Sequence, residues 1–213
     1  MEVPIPDRAA AGHALAETLA SNPANTGALV LALPRGGVPV AYEIAKRLNA
    51  ELDLMLVRKL GTPGQPELAA GAIASGGIRV LNDDVVGALH LSHEALEQVA
   101  AREQRELERR EQLYRGDRPR PAVAGRTVIL VDDGIATGST MRAAIAALRR
   151  QQPSRLVVAV PVAPEDTLRI LATEADEVVC LATPVPFRAI GQWYRHFEQV
   201  DDDTVRRLLA HAG

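Results

Sequence analysis

Five short apolar runs punctuate the chain: residues 28–33 (ALVLAL), 52–57 (LDLMLV), 127–131 (TVILV), 155–160 (RLVVAV) and 177–181 (EVVCL). They are continuous rather than alternating, the pattern of strands covered on both faces of a parallel sheet. Between them lie stretches of helical composition. The spacing predicts helices over residues 7–20, with Asp7 as cap, then from about 40 to 48, 141 to 150 and 164 to 172. A closing helix, capped by Asp201, runs to about His211. Strands alternating with helices imply an α/β fold with a mostly parallel central sheet flanked by helices.

Two stretches break this rhythm. Residues 61–77, GTPGQPELAAGAIASGG, are rich in Gly and Pro and read as an irregular loop as far as Ala72 and Ile73, in the manner of a mobile lid. A short strand is expected at 78–81. Residues 92–114 form a long polar helix capped by Ser92, with Glu and Arg at three- and four-residue separations. This helix reads as a solvated arm or an oligomer contact, and residues 115–125 as the linker back to the sheet. One domain spans 1–213.

Composition narrows the classes. A chain of 213 residues, 47% apolar and 3% aromatic, can bury a full core built mainly from Ala, Val and Leu. The net charge of -3 disfavours a nucleic-acid surface. The single Cys180 excludes an internal disulfide and reads as a packing residue in a reducing compartment. No apolar run approaches a membrane span and no signal-peptide pattern opens the chain, so a cytoplasmic location without membrane contact is expected. The five histidines stand singly, without zinc spacing, and no G-x-S-x-G element supports a serine hydrolase.

The chemistry concentrates at 127–140. The strand ends in adjacent carboxylates, Asp132 and Asp133, and a loop of small residues follows: Gly134, Ile135, Ala136, Thr137, Gly138, Ser139 and Thr140. A glycine-bearing loop that opens a helix presents unpaired amides to an anion, and the hydroxyls add donors. Carboxylates beside it suit sugar hydroxyls or a bridging magnesium ion. The implied ligand is a sugar with vicinal hydroxyls and a phosphomonoester a few ångströms away. A second strand–glycine–helix unit carries Arg35, Gly36 and Gly37, which suit a second anion.

The motif VILVDDGIATGST resembles the 5-phosphoribosyl-1-pyrophosphate (PRPP) motif of type I phosphoribosyltransferases. The resemblance implies that Asp132 and Asp133 bind the ribose hydroxyls and hold magnesium, mainly through water, while the loop from Gly134 to Thr140 cradles the 5-phosphate. It makes PRGG the pyrophosphate loop, with Arg35, Gly36, Gly37 and Lys59 at the leaving group. Arg35 and Lys59 become the catalytic candidates, neutralising charge as an oxocarbenium-like transition state forms. The resemblance also implies a helical insertion at 84–118 and a small hood over the base at 184–200. Phe187 resembles a ring that stacks on a purine, Ile135 is a weaker base contact, and Trp193 and Phe197 are expected to pack the hood.

Hypoxanthine-guanine enzymes carry an aspartate where this chain has Ala136, so the loop looks more like that of adenine enzymes. The reaction implied is transfer of 5-phosphoribosyl from PRPP to a nitrogenous base, purine over pyrimidine, with release of pyrophosphate. A homo-oligomer, most simply a dimer, is expected. The alternative is a PRPP-sensing regulatory protein without turnover. A PRPP synthetase relative would need a longer, duplicated chain.

Overall fold

The computed structural model describes residues 2–62 and 65–211. In chain order the elements are α1 (Arg8–Ala20), β1 (Leu29–Ala32), α2 (Gly37–Leu48), β2 (Glu51–Leu54), β3 (Val57–Thr62), β4 (Gln65–Ala74), β5 (Ile78–Leu81), α3 (Asp83–Ala88), α4 (His93–Arg115) and β6 (Thr127–Val131). They continue with α5 (Ser139–Arg149), β7 (Arg155–Val162), α6 (Glu165–Glu174), β8 (Glu177–Ala182) and α7 (Asp202–His211). Five strands form one sheet in the order β2-β1-β6-β7-β8, with every pairing parallel.

The apolar runs are continuous because each central strand feeds two cores. Val30 and Ala32 of β1, Ile129 and Val131 of β6, and Val157 and Ala159 of β7 join the cluster under α1, α2, α4 and α7. Their neighbours Leu29, Leu31, Val128, Leu130, Leu156 and Val158 join the cluster under α5 and α6. Ile129 and Leu130 are wholly buried. Truncation of either to alanine costs about 2–5 kcal/mol on the general scale for core residues.

Three expectations are corrected. The apolar run at 52–57 is not one strand: β2 stops at Leu54, and β3 begins at Val57 in a different sheet. The Gly/Pro-rich stretch is not irregular. β3, β4 and β5 pair antiparallel, with register shifts between Leu60 and Thr62. Small residues serve that pairing, since a Cβ at Gly71 would overlap the Val80 carbonyl. Pro63 and Gly64 of the expected lid lie outside the described residues.

The third correction concerns α4, which is no free arm. Ala100, Glu103, Leu107, Glu111 and Tyr114 are buried along one stripe. Ala100 and Leu107 pack in the same cluster as Leu60 of β3 and Ile73 of β4. The glutamates on that stripe are matched. Arg58 donates to Glu103 at 2.9 Å, and Arg115 and Arg120 pair with Glu111. α4 is therefore a structural buttress for the small sheet.

Candidate functional site

Adjacent strands β1 and β6 run in register, Ala32 opposite Val131. After β1 the chain crosses through α2 to β2; after β6 it crosses through α5 to β7. The two helices pack on opposite faces, so a crevice opens where the strand order reverses, at the carboxyl ends of β1 and β6. Both glycine loops predicted from sequence start there, and they touch. A Cβ at Gly37 would come 2.7 Å from the Val131 carbonyl and 3.0 Å from Asp132 Cα, and one at Gly36 would overlap the Asp133 carboxylate. The Pro34–Arg35 peptide is cis.

The loop after β6 forms a cavity of about 160 Å³, lined by Asp132, Gly134 to Met141 and Ile190. Gly138, at φ +76°, precedes the first turn of α5, a left-handed conformation that favours glycine. Thr167 of α6 donates to the Ala136 carbonyl at 3.0 Å, fixing the loop from outside, and its methyl fills the space where a Gly138 Cβ would lie. The hydroxyls of Thr137 and Ser139 are 3.1 Å apart. Ile135, expected as a weak base contact, lines this cup but is otherwise buried in the core. No side chain caps α5, so its first amides remain for an anion.

The two acids differ in their partners. Asp132 Oδ1 accepts the Asp133 amide at 2.8 Å, and among the described residues no ion pair reaches the Asp132 carboxylate. Burial, then the adjacent Asp133 charge, pushes the Asp132 carboxyl well above its ordinary range. Asp133 is 7% exposed, and its Oδ2 receives Arg8 Nε and a terminal Arg8 nitrogen, each at 2.8 Å. Burial raises its carboxyl as well, against the opposing charge and hydrogen bonds of Arg8. The Tyr194 hydroxyl donates to the Asp133 carbonyl at 2.6 Å. Burial, then the Asp133 charge, pushes that phenol far up.

Arg35 and Lys59 stand on different elements. Arg35 stands at the crevice, 3.6 Å from Asp202 at the start of α7. Lys59, on β3, lines a separate cleft of about 610 Å³ between the small sheet and α5, which reaches the phosphate cup at Ser139. Phe187 packs in the hood cluster with its centroid 6.2 Å from that of Trp193, while Tyr194 stacks on Phe197 at 4.9 Å. Trp193 and Phe197 thus pack the hood, as expected.

Four contributors were not singled out from sequence: Arg8, Tyr194, Ile190 and Thr167. Arg8 follows the helix cap directly, a place that carries no chemical signal, and its partner lies 125 residues away. Among the described residues no group of three or more His, Cys, Asp or Glu could hold a metal ion. The donor set is instead two adjacent carboxylates, one without a cation. That fits magnesium, which keeps waters and takes its remaining ligands from substrate phosphates.

Comparison with known proteins gives the same family. The profile of the phosphoribosyl transferase domain matches residues 4–185. Two Mycobacterium tuberculosis proteins from different strains, each named provisionally as a phosphoribosyl transferase, are 50% identical over 206 residues, covering 97% of this chain and 46% of their own length. The chain therefore spans about half the length of the curated relatives it matches. The crystal structure of TT1426 from Thermus thermophilus superposes with a TM-score of 0.87 at 45% identity, covering 96% of this chain and 97% of that one. A Neisseria gonorrhoeae protein solved with bound ppGpp shares the fold alone, with a TM-score of 0.50 at 14% identity over 97% of this chain and 93% of its own. With its sheet order, acidic pair and helix-opening cup in place, the chain belongs to the phosphoribosyl transferase domain family.

Proposed function

We propose that this domain binds PRPP and transfers its 5-phosphoribosyl group to a nitrogenous base, purine in preference to pyrimidine, with magnesium bound and pyrophosphate released. One observation carries the reading: the acids and the cup stand side by side at the switch point, with the Arg35-Gly36-Gly37 loop pressed against them. The cup receives the 5-phosphate on the α5 amides and the hydroxyls of Thr137, Ser139 and Thr140. The carboxylates of Asp132 and Asp133 accept the ribose hydroxyls and hold magnesium through water. Magnesium supplies charge neutralisation on the pyrophosphate. Gly36 and Gly37 let the backbone approach that group, and Arg35 and Lys59 add positive charge as it leaves. The hood, at Phe187 and Ile190, covers the site so that the base rather than water meets the anomeric carbon.

The purine preference draws on Phe187 as a stacking ring, and Ala136, which leaves no carboxylate to handle a ring proton, disfavours a 6-oxopurine among the purines. Among the described residues no helix is long and apolar enough to cross a membrane, and the substrates proposed are small molecules. The test is incubation with PRPP, magnesium and a panel of bases. Pyrophosphate release with one of them supports the enzyme. A second reading, PRPP sensing without turnover, draws on the Arg8–Asp133 ion pair, which engages one of the acids within the protein. Saturable PRPP binding with no release under any base would select it.

A further inference from the structure

We infer that Arg8 is a positioning residue for the pentose, fixing the Asp133 carboxylate and joining it to the hood through the N-terminal segment. The inference rests on the PRPP reading above. Arg8 Nε donates to one carboxylate atom, Oδ2, at 2.8 Å, a terminal nitrogen stands 2.8 Å from the same atom, and among the described residues Oδ1 accepts no arginine hydrogen bond. A terminal nitrogen donates to the Glu198 carbonyl at 2.8 Å, and the guanidinium lies 3.9 Å from the centre of the Phe197 ring. A planar donor fork has the geometry to serve a carboxylate, a carbonyl and a ring at once.

The surroundings point the same way. Three residues before Arg8, Ile5 pairs with Tyr194: the Ile5 amide donates to the Trp193 carbonyl and the Arg195 amide returns to Ile5, both at 2.8 Å. His196 closes the ladder by donating to the Pro6 carbonyl at 3.0 Å. The hood is thus stitched to the N-terminal segment, and Tyr194 from the same ladder holds the Asp133 carbonyl. Backbone and side chain of Asp133 are both gripped by the hood assembly. With side-chain exposures of 12% and 10%, Arg8 and Asp133 are a buried pair, and a buried carboxylate stripped of its cation turns toward water. Arg8 therefore sets which oxygen Asp133 presents and keeps the hood over it.

The experiment separates the cup from the acids by measuring, on the same protein, the affinities for inorganic phosphate and ribose 5-phosphate. Phosphate reports the cup alone; the gain from the pentose reports the acids. For Arg8→Ala, phosphate affinity is expected to stay within about twofold of wild type while ribose 5-phosphate binds roughly 10- to 100-fold more weakly, the usual effect of disordering a charged hydrogen-bonding group. Arg8→Lys keeps the charge without the fork and is expected to recover part of the loss. In Asp133→Asn the added effect of Arg8→Ala should largely vanish, because both changes act through one carboxylate.

An unchanged pentose gain in Arg8→Ala, with only a lower melting temperature, overturns the inference and leaves a purely structural ion pair. If Arg8→Ala does not fold, Arg8→Lys carries the test, and an unchanged pentose gain there overturns it equally. A wild-type protein that binds phosphate but gains nothing from the pentose defeats the PRPP reading and this inference together. A wild-type gain that survives every Arg8 change defeats only this inference.

Discussion

The backbone of Gly36 lies directly against the carboxylate of Asp133, so closely that a Cβ at Gly36 would overlap Oδ2. That oxygen also receives both Arg8 nitrogens. A methyl group at Gly36 must displace either the Arg35-Gly36-Gly37 loop or the Arg8–Asp133 ion pair. Gly36→Ala is expected to cost about 1–3 kcal/mol, the range for forced overpacking, and to weaken PRPP binding. Gly87, inside α3 with nothing within 4 Å of its Cβ position, is the control. Gly87→Ala should stabilise by about 0.5–1 kcal/mol through helix propensity and leave binding unchanged. Urea unfolding with calorimetry reads both; equal stability changes in the two variants would refute the contact.

The ionised form of Asp132 is disfavoured in the folded chain. Burial and the Asp133 charge raise its carboxyl above the usual range, so the folded state favours its protonated form. For such a group the favourable contribution is complete below the unfolded value, about 3.9, and is lost as pH rises through the raised folded value. Asp132→Asn, which keeps an oxygen for the Asp133 amide, should therefore melt higher than wild type at pH 7. The gap should shrink as pH falls through the raised folded value and close below about 4. PRPP affinity should drop sharply in the same variant, and a variant no more stable than wild type at neutral pH would remove the electrostatic argument.

The sheet and the cup were legible in the sequence because their signals are local. Continuous apolar runs mark strands covered on both faces, and acids with a glycine loop sit in one uninterrupted stretch. The packing of α4 was not legible, because its buried stripe carries Glu103 and Glu111 at core positions, where Arg58 of β3 and Arg120 beyond the helix end join nearer arginines in matching them. The antiparallel sheet was hidden because β4 draws its stability from pairing and close backbone approach rather than from β-branched residues. Leu107 decides the α4 question: it is wholly buried, so Leu107→Ala should cost about 2–5 kcal/mol in chemical unfolding. A loss below about 0.5 kcal/mol, the surface range, would restore the solvated arm.

Tyr114 connects α4, through Asp202, to Arg35 in the loop after β1. Its hydroxyl donates to Asp202 at 2.6 Å, and Arg35 stands 3.6 Å from the same carboxylate. Burial, reinforced by the Asp202 hydrogen bond and charge, pushes the phenol up to about 12 from an ordinary 10. The folded value is raised, so the contribution of this contact is complete below pH 10 and disappears as pH climbs toward about 12. Wild-type stability should fall across that alkaline window more steeply than that of Tyr114→Phe. Matched slopes in thermal melts at pH 9 to about 12 would show that the phenol titrates alike in both states.

Lys59 tests whether the small sheet takes part in chemistry. The side chain belongs to β3, whose neighbour Arg58 is anchored to buried Glu103. Lys59 instead lines the cleft along α5 that meets the phosphate cup at Ser139. If the proposed reaction is right, an ammonium there, with no ion pair among the described residues, would strengthen its interaction as charge builds on departing phosphate oxygens. Such an interaction belongs to the transition state more than to the bound substrate. Lys59→Ala should lower kcat by roughly 100-fold, the range for losing one charge-stabilising group, while PRPP affinity in calorimetry falls less than about threefold. Equal losses in kcat and affinity would make Lys59 a ground-state phosphate contact. No loss in either would confine catalysis to the loops at the switch point and leave the small sheet as scaffold.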